Sequence, residues 1–178
     1  DFAGLNGAPA WSPDGKRIAY QRNHYDIMTD RRRSHLWLID VERGQQRPLT
    51  SGSGSDGAPV WSADGERLAW VSARDKSSQI WTRWLDSGQT AVISQLTESP
   101  SNLAFSPDGK WLAFTMRVPA DTKPLASLPK KPRGAEWAPA AKPIDRIGYR
   151  ADGAGYIEPA FTHVFVMDVP GQPEPIFV

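Results

Sequence analysis

The chain has 178 residues, 21 Lys plus Arg against 20 Asp plus Glu, and no cysteine. That length suits about one domain. The near-neutral balance speaks against a general nucleic-acid binder, and the missing cysteines exclude disulfides, thiolate catalysis and Cys-ligated zinc. Eight Trp among 39% hydrophobic residues are enough for a packed core and too many for a disordered chain. No run of about 18 apolar residues is present, so no membrane-spanning helix is expected. No charged-then-apolar leader is visible either; compartment is left open between cytoplasm and periplasm.

In chain order, the first element is a strand ending at Trp11, then Ser12-Pro13-Asp14-Gly15, then a second strand through Ile18-Ala19-Tyr20. Pro13 presets the dihedral of a type I turn, Asp14 can bond its local backbone, and Gly15 can take a left-handed conformation. That is a hairpin connector with a bulge. An apolar run, Leu36–Val41, and a Gly44-Gln45 turn follow. The unit then recurs. Residues 58–70 repeat 8–20 around Ser62-Ala63-Asp64-Gly65, followed by Ile80–Leu85 and Gly88-Gln89. Residues 102–114 repeat it again around Ser106-Pro107-Asp108-Gly109, followed by Val164–Val169 and Gly171-Gln172. The anchors Trp11, Trp61 and Phe105 lie 50 and 44 residues apart. Four antiparallel strands per such period predict an all-β fold built from propeller blades.

Three blades are expected within one partial propeller over 1–178, at about 5–50, 51–98 and 99–178. Propellers close with roughly 4 to 8 blades. The two end faces should therefore be apolar and bare. Either the chain is a sector of a larger ring, or several copies associate to cover those faces. Second and third strands are joined over 17 residues in the first copy, 11 in the second and 51 in the third. The third blade thus carries a long insertion, about 115–160. Loops that long are usually functional or disordered. The connections 21–34, 71–79 and 115–160 should gather on one rim, where they sum to +6 and leave −5 elsewhere. Such a rim can attract an anionic ligand or acidic partner, or simply be solvated.

The Ser-Pro-Asp-Gly-Lys-x-Leu-Ala-Phe repeats resemble those of TolB-like propellers and of the prolyl oligopeptidase family. Glu136-Trp137-Ala138-Pro139, Ile144-Asp145-Arg146 and Tyr149–Tyr156 resemble a segment of acylaminoacyl-peptidase-like members. The resemblance implies a propeller that precedes an α/β-hydrolase domain, limits access to its Ser-Asp-His triad and helps to hold short peptides. That C-terminal hydrolase domain would be the partner. No Gly-x-Ser-x-Gly elbow is found; Ser51–Gly57 lacks the spacing. No catalytic residue, metal ligand or cofactor is therefore assigned. A stand-alone, protein-binding TolB-like propeller is the alternative.

Among single residues, His35 and His163 share one repeat position and read as structural; His24 reads as a surface-loop histidine. Asp14, Asp64 and Asp108, with Ser12, Ser62 and Ser106, read as turn residues. Arg146, Arg150, Asp152 and Tyr156 form the candidate substrate or domain-interface set. Arginine can grip a carboxylate bidentately; the other reading is an internal ion pair that pins the insertion.

Overall fold

The computed structural model describes residues 7–74, 77–120, 129–138, 144, 147–152 and 155–170. All regular structure among them is strand. The first sheet runs in the order β1 (Ala10–Trp11), β2 (Arg17–Asp26), β3 (Arg31–Asp40), β4 (Gln45–Pro48). The second has the same order in β5 (Ser55–Trp61), β6 (Arg67–Ala73), β7 (Ser78–Trp84) and β8 (Thr90–Val92). The third holds β9 (Pro100–Phe105), β10 (Trp111–Pro119) and β13 (Ala160–Asp168); a short ribbon, β11 (Arg150–Ala151) with β12 (Gly155–Tyr156), lies between the last two in sequence. The fourth strand expected after Gly171-Gln172 lies outside the described residues. The pairings within the first two sheets, between β9 and β10 and between β11 and β12 are all antiparallel, as the partial-propeller reading requires.

Each Asp-Gly turn is held by the same small network. Ser12 Oγ donates to Asp14 Oδ1 at 2.5 Å and accepts from the Arg17 amide at 2.9 Å, while Gly15 N–H reaches Ser12 O at 2.9 Å. Ser62 and Ser106 repeat these bonds with Asp64, Arg67, Gly65 and with Asp108, Trp111, Gly109. The serines are thus accounted for as turn pins. Gly15, Gly65 and Gly109 have φ of 70°, 71° and 67°, the left-handed region that favours glycine. The Ser12 hydroxyl and the Lys16 amide hold the Asp14 carboxyl below its usual range, and Ser106 and Lys110 do the same for Asp108.

Two features depart from the sequence reading. Strand pairing in the first sheet runs out to Asp26 and Arg31, so most of 21–34 is ladder, with a turn only at 27–30. Asp26 pins that turn through Met28 N–H at 3.0 Å and Thr29 Oγ1 at 2.7 Å. The second is a bulge at equivalent places in two blades. The register shifts between Gly57 and Val60 and between Ala113 and Thr115, and the unpaired Ala58 and Asn102 both sit at φ 52°. Pro59 in the strand is the sequence sign of such an irregularity.

By contact, the chain divides into two compact units, Asp1–Arg117 with Thr162–Val178, and Val118–Phe161. In the first, sheets stack face to face. Ala19, Leu36 and Leu38 of the first blade pack on Trp61, Leu68 and Trp70 of the second, all at most 7% exposed. Small Ala19, fully buried, sits in this cluster beside Trp61 and Trp70; Ala69 is fully buried as well.

Candidate functional site

The two joints between blades share one device. In the first, Arg17 lays its guanidinium 5.2 Å from the centre of the Trp61 ring and donates to Gly65 O at 3.2 Å. In the second, Arg67 lies 5.8 Å from the Phe105 ring and donates to Gly109 O at 2.8 Å. Each arginine follows its own Asp-Gly turn by two residues. The turn aims the side chain at the neighbouring blade, where it meets the anchor aromatic and the turn glycine together. Trp61 Nε1 returns a hydrogen bond to Ala10 O at 2.9 Å.

The first joint also buries a polar group. Asp56 is fully buried; its Oδ1 accepts from Trp70 Nε1 at 3.3 Å and its backbone O from Ser34 Oγ at 2.9 Å. Its Oδ2 lies 3.7 Å from both Arg74 Nη2 and His35 Nδ1. Oδ2 and His35 Nδ1 each lack a hydrogen bond. Burial, and then His24 stacked 5.0 Å away, push the His35 pKa below its usual value and outweigh the Asp56 carboxylate. His35 therefore stays neutral at pH 7. His24 lies on β2 and not in a loop. His163 meets Phe165 edge-on at 6.4 Å.

At the ends of the first unit the same repeat positions stand bare. Trp11, the equivalent of buried Trp61, is 56% exposed. Trp111, which replaces Arg17 and Arg67 in the third copy, is 49% exposed, and Val164 and Val166 are 72% and 62% exposed. The apolar end faces anticipated from blade counting are present.

In the second unit, Arg150 pairs with Tyr156 and Ala151 with Gly155 across β11 and β12. The ribbon thus sets Arg150 opposite Tyr156, with Asp152 at its turn end; Ile157 N–H extends it by bonding Tyr149 O at 2.8 Å. Arg150 and Asp152 are exposed and Tyr156 is half-buried. Arg146 falls outside the described residues.

The family of TolB beta propeller domains matches residues 1–126. The chain belongs to that family. This TolB-type propeller is 24% identical over 162 residues to the uncharacterized peptidase YuxL of Bacillus subtilis (strain 168), which takes in 90% of this chain and 24% of that protein. Among solved structures it is similar to Pyrococcus horikoshii acylaminoacyl peptidase, with a TM-score of 0.68 at 16% identity over 94% of this chain and 23% of that one. It is similar also to TolB from Acinetobacter baumannii, with a TM-score of 0.54 at 26% identity over 70% and 28%. The TolB-type chain thus spans about a quarter of the length of these relatives. Its fold is that of peptidase and TolB propellers alike.

Sequence reasoning missed the arginine clamps and the Asp56 cluster. The clamps had a signal, since Arg17 and Arg67 share a repeat position that Trp111 breaks. Asp56 had none, because it precedes the repeated block.

Proposed function

We propose that this chain is a non-catalytic propeller sector of a serine peptidase related to acylaminoacyl peptidases. In this reading it screens peptides on their way to a separate α/β-hydrolase domain and supplies part of the surface that domain rests on. The observation that carries the reading is the reach of the likeness. It runs over 94% of the chain for the acylaminoacyl peptidase, a span that must take in most of the inserted unit, against 70% for TolB from Acinetobacter baumannii. A bare binding propeller has no need of such an insertion. The curated relative being a peptidase points the same way. Arg146, Arg150, Asp152 and Tyr156 are the insertion's part of the proposal: an arginine fork for a peptide carboxylate or an acidic domain face.

The test has two parts. The chain alone, given acylated amino-acid substrates, should show no turnover; hydrolysis abolished by a serine-directed inhibitor would overturn the non-catalytic assignment. Coding sequence continuing this one should hold Gly-x-Ser-x-Gly between a strand and a helix. A continuation without it favours the second reading, a TolB-like protein-binding propeller, for which the 26% identity to Acinetobacter baumannii TolB speaks.

A further inference from the structure

We infer that the Trp11 flank is a socket for a guanidinium, and that its occupant is a β-blade bearing an arginine two residues after an Asp-Gly turn, from a chain segment other than a second copy of residues 7–170. This rests on reading the chain as a propeller sector, and it names what the leading flank takes.

The argument comes from the two closed joints. In both, the acceptor blade offers a ring and a glycine carbonyl, and the donor blade offers an arginine: Trp61 and Gly65 O take Arg17, while Phe105 and Gly109 O take Arg67. The first blade offers the same acceptor pair. Trp11 is 56% exposed and Gly15 is exposed, whereas Gly65 and Gly109 are buried beneath their arginines. Among the described residues no arginine reaches Gly15 O. The Ser12 network presents that carbonyl with the turn geometry of the other two copies. A planar guanidinium can lie over an indole face while its N–H groups point at a carbonyl, which an ammonium does less well.

A second copy stacked head to tail does not supply the donor. Head-to-tail stacking would set the trailing flank of one copy on the leading flank of the next. At the donor position of that trailing flank stands Trp111, with no positive charge. Stacking copies would cover apolar surface and leave the socket unfilled.

The test makes the chain self-complementary. Trp111→Arg restores the residue type that the other two copies carry, at a half-exposed site, so the fold should tolerate it; far-UV circular dichroism checks this. By sedimentation velocity, Trp111→Arg should self-associate about tenfold more tightly than the parent chain. Adding Trp11→Ala should remove the gain, and adding Trp11→Phe should keep it, as Phe105 serves under Arg67. Trp111→Lys should gain less. The inference is overturned if folded Trp111→Arg sediments like the parent, if the gain survives Trp11→Ala, or if Lys matches Arg. No hydrolysis is read, so failure here leaves the peptidase reading standing. A continuation lacking the hydrolase elbow would, equally, leave the socket standing.

Discussion

The second and third blades carry nearly the same instructions and end in different surroundings. Ile80 and Thr82 on β7 are fully buried; their repeat equivalents on β13, Val164 and Val166, are 72% and 62% exposed. Ala69 is fully buried and Ala113 half-buried. Hairpins, turn pins and strand order are shared by both blades, so local structure does not need a neighbour on each face. Burial does. A blade is a thin layer with two apolar faces, and each face is stabilised only by the sheet set against it. The middle blade has both neighbours within the described residues, and the third has one.

Substitutions at matched positions can break that comparison. Trp61→Ala removes a 7%-exposed ring held by Arg17 and Ala10, and should cost about 3–5 kcal/mol in denaturant unfolding. Trp11→Ala, at the same repeat position, should stay within about 0.5 kcal/mol. Equal losses would mean that the leading flank is covered in solution. Asp56→Ala leaves Trp70 Nε1 and Arg74 without their carboxylate and should cost about 3 kcal/mol. Asp56→Asn, which keeps an acceptor for the indole, should cost less.

Ile80→Ala should lose about 2–4 kcal/mol, while Val164→Ala should fall within about 0.5 kcal/mol. A large loss at Val164 would show a partner already seated on the trailing flank. For the turn pins, Ser62→Ala strips a hydroxyl from a fully buried residue and should cost about 1–2 kcal/mol, against about 0.5 kcal/mol for the less buried Ser106.

The smallest effect is a slope. His35 has a folded-state pKa below its ordinary 6.5, chiefly through burial. The unfolded chain then binds the proton first as pH falls. Stability from this group is complete well above pH 6.5 and declines as pH drops below it. His35→Gln should flatten that part of the stability-pH profile. A profile that rises on acidification would mean instead that Asp56 captures the protonated ring as an ion pair. Asp14, Asp64 and Asp108 add a separate, more acidic decline, since their lowered pKa values withdraw stability only as pH falls through the carboxylate range.

Much of the fold is legible in the amino-acid sequence. Ser12-Pro13-Asp14-Gly15 and its two echoes specify a turn through dihedral preference and a hydroxyl-carboxylate contact, all within six residues. The period of 50 and 44 residues then implies blades. The long β2–β3 ladder was not legible. Arg22, His24, Arg31 and Arg33 resemble a charged loop by composition, and only pairing across the hairpin reveals strands. The candidate set was partly legible: the ribbon brings Arg150 opposite Tyr156, although nothing in their spacing required that register.

What the amino-acid order determined by itself is therefore the hairpin, because its turns close through contacts a few residues apart. Which arginine meets which ring, that Asp56 is sealed between two sheets, and that Trp61 is covered while Trp11 is not were decided by stacking. Those contacts join residues 22 to 51 positions apart. They exist only once one sheet lies on another, since burial is a property of both surfaces and not of either strand alone.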